Sequence, residues 1–295
     1  MSKIPTSSAN GEGGLLYEGK SPQQGLLIRR VSYENAHIRE RVLRQCLLEG
    51  LSLKGAELTD CAFFHTHFTD CYFKDASLTR VRFIDCFFEH CDFDGAVFSN
   101  CGLEYSEFRN CRIAYDQIES CLPQSWQNVL FRLARSLRVN AHSMGDYDEY
   151  RKFLSLELMA SETHYKYMFT KYDGYYKKYR PVDRLRGLQK WTTMKVDRLL
   201  WGHGEKWTRV LLVAIAVVFV FALMFRYAAG IRNMPQGANF WNYLALSASN
   251  FMTLAYENAA PADGFARFLQ ISEAALGLLF FGLLVTSLYV RISKR

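Results

Sequence analysis

The chain has 295 residues, 49% hydrophobic and 22% charged side chains, and a formal charge of +7, values that fit a globular protein of one to three domains. The charge is segregated: residues 31–120 hold 15 acidic and 9 basic side chains, net −6, so the remainder sums to +13. This excludes a uniformly basic nucleic-acid binder. Residues 1–27 form a polar tail without the apolar core of a secretory signal, which predicts a cytosolic amino terminus.

From Tyr33 to Ile118 every fifth residue is large and apolar, among them Leu48, Phe68, Phe88 and Phe108. Two positions before each stands a second, mostly small series that includes Ala36, Cys46, Cys61, Ala76, Cys91 and Cys111. Arg41, Leu51 and Asp116 depart from it. A period of five fits neither an α-helix nor a flat strand. It fits a square coil with five residues on each of four faces, large side chains along the axis and small ones in the layer between. The fold predicted for residues 28–122 is a right-handed quadrilateral β-helix of about 4.5 coils, roughly 20 Å long at the strand spacing of ~4.8 Å. This repeat resembles the pentapeptide-repeat family. All eight cysteines, Cys121 included, fall in the small register, where they are expected to serve as small buried hydrophobes rather than paired metal ligands. His65, His67 and His90 fall on outward positions. Acidic members of that family suggest DNA mimicry, but here the chain continues into apolar segments, and nucleic acid is not an expected partner.

After Pro123 the period becomes helical. Trp126, Val129, Leu130, Leu133, Ala134 and Leu137 form one apolar stripe, with Arg132, Arg135 and Arg138 pointing elsewhere. Gly145-Asp146 breaks the pattern, and Asp146 is placed to cap a second helix running to about Tyr172. Tyr147, Tyr150, Phe153 and Leu154 would face the first helix. Residues 123–200 therefore read as a helical, basic spacer. Tyr165, Tyr167, Tyr175 and Tyr179 alternate with Lys166, Lys171, Lys177 and Arg180, which suits lipid headgroups just ahead of an apolar span. Leu185, Leu188, Trp191, Val196 and Leu199 predict an interfacial helix.

Residues 201–295 carry two spans. Val210 to Phe225 is apolar and flanked by Trp207 and Tyr227, and with its flanks it reaches the ~20 residues needed to cross a bilayer. Ile271 to Val290 is a second such stretch. Lys195, Arg198 and Arg209 before the first span, and Arg291 and Lys294 after the second, predict a multi-pass inner-membrane protein with both termini cytoplasmic. Between the spans, Phe240 to Met252 is an apolar helix of half-membrane length with Asn239 as its cap. It leads into the loop Thr253-Leu254-Ala255-Tyr256-Glu257-Asn258-Ala259-Ala260-Pro261. Lipid cannot satisfy the polar backbone after a buried half-helix, so that backbone must line a cavity.

The segment resembles the pore of two-transmembrane potassium channels, whose filter reads TVGYGD with a proline three residues later. Thr253, Leu254, Tyr256 and Pro261 fall on matching positions, Arg267 on a basic position, and Gly277 on the inner-helix glycine around which such pores bend. Gly202-His203-Gly204-Glu205-Lys206 resembles a glycine-rich element of bacterial proteins that join pentapeptide repeats to this pore. The resemblance implies a homotetrameric cation channel with no cofactor beyond its permeant monovalent or divalent cations. It makes Thr253, Leu254, Ala255, Tyr256, Glu257 and Asn258 the selectivity filter and Gly277 the inner-helix hinge. Ala255 and Glu257, however, replace the two filter glycines, whose left-handed backbone costs another residue about 1–2 kcal/mol. The expected filter is wider or shorter, weakly selective, and assisted by a ring of Glu257 carboxylates. Glu273 is expected to pair with a basic residue near the outer interface. The first span has no arginine ladder, which argues against voltage sensing. No nucleotide loop, paired-ligand metal motif or nucleophile–base constellation points to an enzyme. Expected partners are membrane lipids, further copies of the chain, and a protein or ligand acting on the cytosolic repeats. The alternative function is a membrane-anchored interaction scaffold whose pore is vestigial.

Overall fold

A computed structural model of the chain describes residues 22–172, 174–200, 207–227, 230–234, 237–254 and 259–293. Of the expected filter, Ala255, Tyr256, Glu257 and Asn258 lie outside the described residues, as does the glycine-rich element at 202–206. The chain divides into two compact units, the boundary falling after Leu188.

The first unit opens with the coil. Leu27–Arg29 pairs in parallel with Leu47–Glu49, which pairs with His67–Thr69, then Phe87–Glu89, then Glu107–Arg109, each step advancing 20 residues. Two more sheets run from Gln23–Gln24 to Arg82–Ile84 and from His37–Arg39 to Val97–Ser99. The fourth face is a column of single bridges linking Ser32, Ser52, Tyr72, Asp92 and Arg112. Together they make a β-solenoid of about four turns.

A third five-residue register makes the corners. From Gly25 to Asn110 every fifth residue has positive φ, including Asn35, Asp60, Asp75 and Asn100. Glycine, asparagine and aspartate tolerate this left-handed conformation best, and they hold most of the corners. Inside, the rings stack coil on coil. Phe68 and Phe88 lie 4.8 Å apart at 12°, Phe88 and Phe108 4.9 Å apart at 10°, and Phe73 and Phe93 4.8 Å apart at 11°. That separation is the strand spacing itself, so backbone pairing and ring stacking share one register. The small register is buried as expected. The eight cysteines are free and buried, and Cys71, Cys86, Cys91 and Cys101 each donate a thiol hydrogen bond to a carbonyl 23 residues upstream. Burial pushes the Cys86 thiol up to about 12.

The coil starts earlier than residue 28, at Gln23, because Ile28 already occupies an axial position and is fully buried. At the other end its last axial side chain is Ile113. Ile118 is buried too, but it comes from a helix, α1 (Tyr115–Ile118), followed by the single turn Glu119–Cys121. Gln117 diverts the chain by donating to the carbonyls of Phe93 and Ala96 at 2.8 and 3.1 Å.

Helices α2 (Gln127–Ser143) and α3 (Tyr147–Thr170) form the expected hairpin, with Gly145 at φ +72 ending the first and the Asp146 carboxylate accepting from Glu149 N at 3.1 Å to start the second. Two side chains depart from the expectation. Trp126 is 55% exposed because it precedes the first helical turn, and Tyr147 is 52% exposed because it starts α3 beyond the helix–helix contact. Arg138 is drawn onto α3 by Glu157, 2.5 Å away. Short α4 (Gly174–Lys177) and α5 (Pro181–Leu200) follow, the latter covering the expected interfacial segment.

The hairpin closes the last coil. Phe108 N donates to Ser136 Oγ at 2.9 Å, Cys111 N to Asn140 Oδ1 at 2.7 Å, and Asn140 Nδ2 to the Cys111 carbonyl at 2.8 Å. Tyr115 N donates to Glu149. An open β-edge is thereby covered. Asn140→Leu keeps the volume and orphans both Cys111 groups, so it should cost about 2–4 kcal/mol in denaturant unfolding followed by circular dichroism.

The second unit holds α6 (Trp207–Tyr227), α7 (Phe240–Phe251) and α8 (Gly264–Ser293), each packed on the other two. The windows Thr208–Tyr227 and Gly264–Thr286 are long and apolar enough to cross a membrane, and only 17% and 22% of them are buried. The second begins earlier than Ile271 because Asp263 Oδ1 accepts from Ala266 N at 2.7 Å and caps α8 there.

Candidate functional site

The region between α6 and α8 is built around α7. Asn239 starts that helix as expected, in a reciprocal cap with Asn242. Its twelve residues rise about 18 Å. Leu246 packs with Phe225 of α6 and Leu269 of α8, a small core that Phe221, Met224, Ile231 and Tyr243 extend. Ile231–Arg232 pairs antiparallel with Ala260–Pro261, and Ala262 N donates to the Gly230 carbonyl at 2.9 Å. The chain entering α7 and the chain leaving the loop after it are thus tied together.

The carboxyl end of α7 closes on itself. Leu254 N donates to the Ser249 carbonyl at 2.7 Å and Thr253 N to the Asn250 carbonyl at 2.9 Å, with Met252 as C-cap and Thr253 at φ +57. This is a Schellman closure in which the left-handed residue, usually glycine, is threonine. A β-branched residue there is an outlier, and such strain costs on the order of 1–3 kcal/mol. Of the expected filter residues described, Thr253 and Leu254 are both exposed, Leu254 by 61%. Thr253 edges an apolar groove of about 810 Å³ whose walls include Val218, Phe251, Gly277 and Phe281.

Gly277 sits where α8 passes the end of α7. A Cβ there would lie 1.8 Å from the Phe251 carbonyl oxygen, and α8 runs through the glycine as one continuous helix. Close approach is the function this geometry gives it. Gly282 has nothing within 4 Å of its position for a Cβ.

Among the described residues Glu273 does not meet the basic partner expected of it. It and Ser247 are both 0% exposed. Ser247 Oγ is hydrogen-bonded to Glu273 Oε1 and lies 2.8 Å from the Val218 carbonyl, while Glu273 Oε2 and Asn250 Nδ2 are buried without a hydrogen-bond partner among the described residues. Because α8 starts at Gly264, Glu273 lies deep in the helix instead of at its outer end. Sequence reasoning also missed Ser247 and Asn250, which carry no motif. Their signal is a polar pair at i, i+3 that shares one face of a largely apolar helix.

Residues 61–135 match the family model described as Pentapeptide repeat region. No curated protein matches the chain. Among solved structures, the pentapeptide repeat protein Rfr23 from the cyanobacterium Cyanothece 51142 is 12% identical over 32% of this chain and 77% of its own, with a TM-score of 0.30. A pentapeptide repeat protein from the Arabidopsis thaliana thylakoid lumen is 14% identical over 43% of this chain and 84% of its own, with a TM-score of 0.23. QnrB1, a plasmid-mediated fluoroquinolone resistance protein, is 16% identical over 32% of this chain and 56% of its own, with a TM-score of 0.15.

Gly277→Ala should force α7 and α8 apart and lower unfolding stability in detergent by about 1–3 kcal/mol, whereas Gly282→Ala should stay within about 1 kcal/mol of the native chain. At these TM-scores the superpositions carry no argument. The family match and the 20-residue pairing do, and they assign the chain a pentapeptide-repeat region folded as a β-solenoid, followed by a helical region with two apolar helices.

Proposed function

We propose that the chain is a cation-channel subunit of the inner membrane, four copies enclosing a weakly selective pore that the repeat region controls from the cytosol. The observation that carries this reading is the pairing of Ile231–Arg232 with Ala260–Pro261 around α7. It supports a stretch that enters between two spans, turns, and returns on the side it came from. An element of about 18 Å covers only part of the ~30 Å hydrocarbon core, so the backbone after it needs water or protein to satisfy it. The negative end of the α7 dipole lies at Thr253, where a cation is favoured. Large apolar side chains exposed on α6 and α8, such as Leu212, Ile215, Leu278 and Phe281, suit lipid or further copies of the chain.

A second reading is a membrane-anchored interaction scaffold with a pore that does not conduct. Ala255 and Glu257 in the positions of the filter glycines favour it. Planar-bilayer recording from the purified full chain separates the two, with cation currents expected across sodium, potassium and calcium gradients and silence supporting the scaffold. In the channel, Glu257→Gln should lower cation-over-anion preference, read as a reversal potential moved toward zero in a salt gradient. An unmoved potential removes the carboxylate ring.

A further inference from the structure

Three oxygens from three helices meet at Ser247: its own hydroxyl on α7, the Val218 carbonyl on α6 and Glu273 Oε1 on α8. Two full-strength hydrogen bonds at this hydroxyl need two protons. Ser247 supplies one, and the Val218 carbonyl has none. One shared hydroxyl proton would serve both acceptors weakly, whereas a proton on the carboxyl lets Glu273 donate to Ser247 while Ser247 donates to the Val218 carbonyl. Among the described residues no ion pair reaches Glu273, and a fully buried carboxylate without a cation is a costly species at membrane depth. The second carboxyl oxygen and the Asn250 amide nitrogen are both buried and have no hydrogen-bond partner among the described residues.

The placement turns this bond network into a lever. Ser247 and Asn250 lie one turn apart on α7, and Phe251, Met252 and Thr253 follow directly. Gly277 lies one turn beyond Glu273 on α8 and receives the Phe251 carbonyl against its backbone. One face of α8 thus grips α7 at two adjacent points just before its strained end.

We infer that Glu273, as a neutral carboxylic acid, is the positioning residue of α7: through Ser247 it fixes the helix between α6 and α8 and so sets where Thr253 and Leu254 stand. For its consequence in ion selection this rests on the channel reading, while the latch itself does not. Glu273 touches no permeating ion in this scheme.

The test compares E273Q, which keeps a donor and an acceptor and cannot ionise, with E273L, which keeps neither. In the full chain in lipid nanodiscs, amide hydrogen exchange over Phe240–Leu254 should stay at the native rate in E273Q and rise about tenfold in E273L. S247A should give a smaller rise, and the double variant S247A/E273L should be no faster than E273L alone. In bilayers, the sodium-to-potassium permeability ratio should be native in E273Q and displaced about threefold or more in E273L. Native exchange in E273L removes the latch. E273Q as perturbed as E273L overturns the neutral acid, since charge would then be the active property. If E273L does not insert, S247A against E273Q carries the same comparison. A native chain that conducts nothing yet shows the predicted exchange pattern defeats the channel reading alone.

Discussion

A buried backbone N–H or C=O must find a partner, and the positions where regular pairing stops decide how this chain is built. Within the coil the demand is met by repetition, each strand bonding to those 20 residues before and after it. The demand becomes acute where the last coil ends. There Ser136, Asn140, Glu149 and Gln117 supply the missing partners from helices. In the second unit the same need recurs at the carboxyl end of α7, where the closure at Thr253 satisfies the Ser249 and Asn250 carbonyls, and at Ser247, whose hydroxyl joins side chain to backbone across three helices.

The two units meet that need with different energetics. In the coil, ring stacking and strand pairing act at one spacing, so each layer stabilises the next and the energy is spread almost evenly along the axis. The helical unit has only a small apolar core around Leu246 and concentrates its specificity in a few contacts: the Asn239 cap, the Gly277 approach and the Glu273 cluster. In an apolar surrounding, helices gain little from burying leucine against leucine, and close packing and polar contacts hold them instead.

What can be read from sequence follows from the same distinction. The positions of Phe68, Phe88 and Phe108 are legible because the solenoid repeats one local rule, and Asn239 and Asp146 because helix caps are local chemistry. Asn140 and Gln117 are not, since nothing in a helical stripe announces that a polar residue will serve a strand edge far along the chain. Among the described residues the expected basic partner of Glu273 is not met, because Asp263 starts α8 earlier than Ile271 and the added turns carry the carboxyl from the helix end into the packed interior. Thr253 breaks the usual preference for glycine, and only the fold around it imposes the left-handed turn. Gly277 stands out by its position, and the geometry adds a packing reason for it, that of admitting a neighbouring carbonyl.

The corner register has a consequence for how such a chain can change length. A single inserted residue would carry every later axial phenylalanine to a corner or a face, so growth tolerated by the interior comes in increments of five residues. Growth that also returns each face to its own column comes in increments of twenty, with every increment adding about 4.8 Å to the stack. The solenoid is in that sense a ruler with fixed graduations: its reach is lengthened or shortened most readily by whole notches.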